Sequence, residues 1–183
     1  GSAGESKGVV LSHAGIMVNI QAVIQDMNLS APASVAIILP LHHSFALVTQ
    51  LLLTLYTGGE IHLLPATLLP GERLNYLLEH KIQRLAAVPT HFRMLCSGPQ
   101  QLPELKHITV AGAALDQTLA RQILDTAPEA ELWVGYGLTE AGPRVTAISH
   151  HDPLFFQGSV GKPISGVEVR IQNSEVQVRS AAN

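Results

Sequence analysis

Apolar residues along the chain fall into two alternating textures: short unbroken runs, and longer stretches in which they recur at helical spacing. Ile16, Ile20, Val23, Ile24 and Met27, with polar Asn19, Gln21 and Gln25 between them, predict a surface helix with one buried stripe, and Ser12 is its candidate N-cap. Ala31-Pro32-Ala33 breaks that pattern before Ser34 to Leu39, an apolar run that ends at Pro40 and reads as a strand buried on both faces. A helix follows from about Phe45 and stops at Gly58-Gly59. Ile61 to Leu64 predicts a second strand, Glu72 to Lys81 a helix, and Leu85 to Val88 a third strand closed by Pro89. The alternation continues with a helix near Thr90 to Cys96, a strand at Ile108 to Val110, a helix that Asp116 caps, and a fifth strand at Leu132 to Val134.

Strands that alternate with helices and show no hairpin signal imply right-handed crossovers and an α/β fold, a doubly wound, mostly parallel sheet with flanking helices. Ligands of such sheets bind beyond the carboxyl ends of the strands. His42-His43, Ala111-Gly112-Ala113 and Tyr136 to Glu140 each follow a predicted strand, so all three are expected along that one edge. From Gly158 the texture changes to Val167 to Ile171, a polar turn at Asn173-Ser174, and Val176 to Arg179, which reads as a hairpin. The expected organisation is an α/β core over 1–157 and the start of a small β-rich subdomain over 158–183.

Composition narrows the partners. Only 14% of the 183 residues are charged and 46% are hydrophobic, which fits elements covered on both faces. A net charge of −3 without a Lys/Arg cluster offers no footprint for nucleic acid or an anionic membrane. The single cysteine, Cys96, forms no internal disulfide and suits a reducing, cytoplasmic setting. It reads as a small buried hydrophobe. The apolar stretch from Phe45 to Tyr56 is too short to span a bilayer. The adjacent pairs His42-His43 and His150-His151 are expected to diverge, which argues against zinc.

The first residues carry the sharpest chemistry. Gly1, Gly4 and Gly8 let the backbone bring N–H groups close to an anion, Ser2 and Ser6 donate hydrogen bonds, and Lys7 adds a mobile positive charge. The pattern is not that of a P-loop, which needs glycine at Ser6 and a hydroxyl residue at Gly8. The same composition also suits a Gly/Ser-rich terminus with no ligand, and this stretch alone does not separate the two.

With that loop and Gly135-Tyr-Gly-Leu-Thr-Glu140 both in view, the sequence resembles the adenylate-forming superfamily of acyl- and aryl-CoA synthetases, fatty-acyl-AMP ligases and adenylation domains. Leu39-Pro-Leu-His-His43, Ala111-Gly-Ala-Ala-Leu115 and Gly158-Ser-Val-Gly-Lys-Pro163 resemble further motifs of that family, in its order. The resemblance implies that Gly1, Ser2, Gly4, Lys7 and Gly8 hold the phosphates of ATP. It implies that Tyr136 stacks on adenine with Gly137 beside it, Gly112 and Ala113 line the base and acyl pocket, Thr139 bonds a phosphate oxygen, and Glu140 binds Mg²⁺. His43 looks like the family's gate between ATP and acid. Lys7, Thr139, Glu140 and His43 thus form the implied catalytic set.

The implied reaction joins a small-molecule carboxylic acid to AMP and transfers the acyl group to a thiol, that of coenzyme A or of a carrier protein's phosphopantetheine. Amino-acid-activating members place an Asp where this chain has His42-His43-Ser44-Phe45, so a plain fatty or aryl acid is expected. Ala3 and Ser6 depart from the family's loop, and the chain ends before the family's ribose-binding Asp and its C-terminal lysine. The expectation is therefore a core fragment of a ligase, with a non-catalytic remnant that binds a carrier protein or a neighbouring domain as the alternative. Arg144, after Pro143, reads as a solvated charge, with a phosphate or acyl-site role as the alternative.

Overall fold

The computed structural model describes residues 8–65 and 67–181. Five parallel strands form one side of a seven-stranded sheet, from its β2 edge inward: β1 (Ser34–Ile37), β2 (Glu60–Leu63), β3 (Arg84–Ala87), β4 (His107–Val110) and β5 (Glu131–Tyr136). Their order is β2-β1-β3-β4-β5. Two strands that the sequence reading missed complete the edge: β6 (Thr146–Ser149) runs antiparallel to β5, and β7 (Lys162–Pro163) antiparallel to β6. A separate hairpin follows, β8 (Glu168–Gln172) with β9 (Glu175–Arg179), turning at Asn173 and Ser174, both with positive φ.

Helices cover both faces, as a doubly wound sheet requires. On one face α4 (Pro70–Glu79), α5 (Pro89–Leu95) and α6 (Gln117–Thr126) bury Leu77, Phe92, Leu119 and Ile123 against Leu85, Ile108, Val110, Leu132 and Val134. On the other face α1 (His13–Asp26) buries Ile20 and Val23, together with Met27, against Val48, Leu53 and Trp133. Ser12 caps α1 as expected, accepting from the Gly15 amide at 3.0 Å. The cap satisfies one of the donors that the first helical turn leaves open.

The predicted helix after β1 is continuous over 44–57 but not uniform. A short α2 (Ser44–Ala46) passes into a π-helical segment, Leu47–Leu52, and then into α3 (Leu53–Thr57), which ends at Gly58 in the left-handed conformation. Thr49 and Thr54 hydroxyls donate back to the Phe45 and Gln50 carbonyls at 2.7 and 2.5 Å. Such back-bonding and π-bulges mark places where helix geometry yields to packing or function. The widened turns set Gln50 inward, buried over the sheet. Among the described residues no helix is long and apolar enough to cross a membrane.

Candidate functional site

Strand alternation decides which side chains face which layer. In β4, Ile108 and Val110 enter the α4–α6 side, which leaves His107 and Thr109 on the α1 side; in β5, Leu132 and Val134 enter the former and Trp133 the latter. Beyond the carboxyl ends of these two strands the chain turns away and a cleft opens, with a volume of about 430 Å³. Its floor is Val134 to Gly137 from the end of β5, and one wall is Gly112 to Leu115 with Gln117 and Ala120 of α6. The opposite wall is Phe155, Phe156 and Gly158 to Val160.

Each wall has a local cause. Gly112 sits at φ +83°, and a Cβ there would come within 3.1 Å of Val88 Cγ1, so the turn that opens the cleft needs glycine. Asp116 caps α6, accepting from the Leu119 amide at 2.8 Å while Arg93 donates to its second oxygen at 2.6 Å. That hydrogen bond and the Arg93 guanidinium hold its carboxyl below the usual carboxylate range. The Gln117 amide donates to the Phe156 carbonyl, Arg121 lies over the Phe156 ring at 5.8 Å, and Phe155 meets Phe156 edge to face. These contacts tie the 155–160 segment to α6. Sequence reasoning had noted Gly158 to Pro163 only as a motif; its place as a cleft wall emerges from the fold.

Of the predicted site residues, Gly112, Ala113, Tyr136 and Gly137 all line this cleft. Thr139 and Glu140 do not. They are exposed on a single 3-10 turn, Thr139–Ala141, carried on the loop that leaves the cleft floor. The loop is closed by the Val145 amide donating to the Tyr136 carbonyl at 2.8 Å. His43 is exposed at the start of α2 without a side-chain capping bond. The next residue joins the two strand ends: Ser44 Oγ and Thr139 Oγ1 are 3.1 Å apart, which brings the segment after β1 onto the loop after β5. Gly8 is exposed just before the cap of α1. Gly1, Ser2, Gly4 and Lys7 lie outside the described residues.

Two expectations are corrected. Arg144 is not a solvated charge: it is 1% exposed, its guanidinium lies over the Phe45 ring at 5.3 Å, and burial pushes its pKa down to about 10. Nor do the histidine pairs diverge, since the ring centroids of His42-His43 and His150-His151 are 4.5 and 3.9 Å apart. Cys96 is half-buried and burial raises its thiol, against the direction a nucleophile needs.

Among the described residues no three His, Cys, Asp or Glu side chains gather as a metal-ligand set. Glu140 could still hold Mg²⁺ as a single carboxylate. Its carboxylate is exposed and makes no hydrogen bond or ion pair among the described residues, and Mg²⁺ is commonly held by one or two carboxylates with phosphate oxygens and water completing the shell. The cleft itself suits a planar ligand, with an aromatic ring at Tyr136, glycines on either side of it and apolar walls.

The chain is similar to known proteins in sequence and in fold. Residues 1–181 match the family described as AMP-binding enzyme. The chain is 33% identical over 181 residues to an acyl-CoA ligase, AFT1-1, of Alternaria alternata, covering 96% of this chain and 31% of that protein. It is 29% identical over 175 residues to a feruloyl-CoA synthase of an Amycolatopsis species, covering 93% and 35%. The fold superimposes with a TM-score of 0.83 on the Bacillus subtilis O-succinylbenzoate coenzyme A synthetase in complex with ATP and magnesium ion, at 19% identity over 96% of this chain and 38% of that one. The chain thus spans about a third of the length of these curated relatives. From the motif order, the doubly wound sheet and these matches together, the chain belongs to the adenylate-forming AMP-binding enzyme family.

Proposed function

We propose that this chain carries the nucleotide- and acyl-binding core of an ATP-dependent acid–thiol ligase, which activates a fatty or aryl carboxylic acid as acyl-AMP. The observation that carries the reading is the cleft at the ends of β4 and β5, whose lining includes Gly112, Ala113, Tyr136 and Gly137. Tyr136 offers its ring to adenine while Gly112 and Ala113 let the base approach the backbone. The Thr139 hydroxyl, oriented by Ser44, donates to a phosphate oxygen. Lys7 and the loop amides neutralise the outer phosphates, and His43 stands between nucleotide and acid.

The acid needs no general base, because a carboxyl with a reference pKa of about 4 is already an anion at neutral pH. Its oxygen forms a bond to the α-phosphorus while the bond from that phosphorus to the bridging oxygen breaks, and pyrophosphate leaves with the electron pair. Alignment and relief of charge repulsion dominate such a step. Glu140 would hold Mg²⁺, which would supply charge neutralisation on the triphosphate when bound. The acyl group then passes to a thiol of coenzyme A or of a carrier protein. The lone thiol fits a cytoplasmic setting.

Calorimetric titration with ATP, with and without Mg²⁺, tests this on the wild-type chain and Glu140→Ala. The expected result is Mg²⁺-dependent binding that Glu140→Ala removes, with Lys7→Ala weakening ATP far more than AMP. Absence of nucleotide binding to the wild type contradicts the reading and favours a remnant that binds a partner.

A further inference from the structure

We propose that the acid substrate bears a second anionic group, a distal carboxylate, and that Arg144 receives it in the layer between the 44–57 helix and the face of β4 and β5. This rests on the ligase reading and narrows its substrate class from a plain acid to a small dicarboxylic acid.

The geometry of Arg144 points there. Its carbonyl accepts from Asn19 Nδ2 of α1 at 2.8 Å, which pins the backbone. Its guanidinium is wedged between the Phe45 ring and Gly135, where a Cβ would stand 2.5 Å from Cζ and closer still to Nη1. Gly135 is therefore required by this arginine. Yet the guanidinium so carefully seated has no counter-charge: Nε and Nη1 are buried without a hydrogen-bond partner among the described residues, and no carboxylate pairs with it there. The charges that neighbouring His107 senses, Arg84 and Arg144, are both positive.

The surroundings repeat the imbalance. On the same side of the sheet the Trp133 indole N–H, Arg84 Nη1 and both polar atoms of the Gln50 amide are buried and unpartnered. A void of about 30 Å³ lies on the same face, among Gln50, Arg84, His107 and Thr109 under the π-helical segment, its lining stopping short of Arg144. Even with Asn19 Oδ1 and Gln50 Oε1 as unpartnered acceptors, N–H donors outnumber acceptors in this layer, and leaving a buried cation unpaired is costly. A carboxylate brings the missing charge and accepts two parallel N–H bonds from a guanidinium. Gly135 borders the nucleotide cleft with its backbone and faces Arg144 on its Cβ side, so the guanidinium lies one backbone thickness from the cleft. Phe45 continues the same wall to Ser44 and the Thr139 loop.

Trp133, the chain's single tryptophan, lies in this layer and reports its occupancy. Glutarate, adipate and suberate are titrated against pentanoate, hexanoate and octanoate, following Trp133 emission. At least one dicarboxylate is expected to give a saturable change with an affinity about tenfold or more above that of its equal-length monoacid, the range of a charge-assisted hydrogen bond. Arg144→Met should erase that preference while leaving the melting temperature of the free chain unchanged or higher, because a purely structural arginine would lower it. Arg144→Lys should keep part of the preference. Equal binding of mono- and dicarboxylates by the wild type overturns the proposal, and this comparison stands even if Arg144→Met does not fold. Loss of AMP affinity in Arg144→Met with the dicarboxylate preference intact overturns it too, by assigning the guanidinium to phosphate. Dicarboxylate preference without any nucleotide binding refutes the ligase reading instead and leaves the Arg144 assignment standing.

Discussion

Replacing Gly137 by alanine probes how tightly the loop that carries Thr139 and Glu140 is folded against the start of β6. A Cβ at Gly137 would lie 2.5 Å from the Pro143 carbonyl carbon, closer still to its oxygen, and 3.2 Å from the Arg144 amide nitrogen. All three are backbone atoms, so no side chain can swing aside to relieve the clash. The neighbouring bond from the Val145 amide to the Tyr136 carbonyl, 2.8 Å long, holds the two strands of chain at this spacing and must stretch if they part. Overpacking costs about 1–3 kcal/mol and a lost backbone hydrogen bond about 1 kcal/mol more, giving about 2–4 kcal/mol in all. For a chain of this length each kcal/mol moves the melting temperature by about 2–4 °C, so Gly137→Ala should melt roughly 5–15 °C lower. Gly71→Ala is the matched control. Gly71 is the second residue of α4, with nothing within 4 Å of a built Cβ, and alanine there should stabilise by about 0.4–1 kcal/mol. Differential scanning calorimetry of both variants is the assay. An unchanged melting temperature in Gly137→Ala, or shifts of the same sign in the two variants, would refute the reasoning.

Three further outcomes are expected. Burial, with Arg84 and Arg144 nearby, pushes the His107 imidazole down to about 3, so the unfolded chain takes up a proton below its ordinary value near 6.5 that the folded chain refuses. That contribution to stability is present above pH about 6.5 and lost as pH falls toward 3, at about 1.4 kcal/mol per pH unit; denaturant titrations between pH 6.5 and 4 should show a shallower slope in His107→Gln. Ser12→Ala should cost about 1 kcal/mol through loss of the α1 cap, visible as a lower urea midpoint, whereas Ser12→Asp should keep it. Tyr136→Ala should weaken AMP about tenfold by calorimetry, in line with the stacking of a base on an aromatic ring, while Tyr136→Phe should not.

Much of the sheet was legible because buried parallel strands are written as unbroken apolar runs. Ser34 to Leu39 and Leu85 to Val88 announce β1 and β3 without reference to partners, and the glycines after α3 mark its end. β6 was not legible for the opposite reason. Thr146-Ala-Ile-Ser149 is short and half polar, and what makes it a strand is the free edge of β5, a nonlocal cause. The π-helical turn was equally hidden: Leu47 to Leu52 reads as ordinary helix, and only the packed structure shows Gln50 turned into a buried layer.

The site divides the same way. Gly112, Ala113, Tyr136 and Gly137 could be placed because each lies at or just beyond the end of a strand, and strand ends converge in this topology. The far wall, Phe155 to Val160, comes from beyond β6 and could be placed only once that strand was seen to bring it back over α6. Arg144 was misread because a charged residue after proline is ordinarily solvated. Here two features separated in sequence, Gly135 and Phe45, make a slot for it. Asn19, a polar interruption in an apolar stripe, carried a signal of that slot, for it is buried and holds the Arg144 carbonyl.

The most direct test of the central claim is an AMP titration followed by backbone amide chemical shifts in uniformly labelled protein. Saturable shifts concentrated at 112–115, 135–137 and 158–160 are the predicted result, because those segments form the cleft. Shifts confined to the β8–β9 hairpin or the α4 surface, or none at millimolar AMP, would contradict the assignment of the cleft as the nucleotide site.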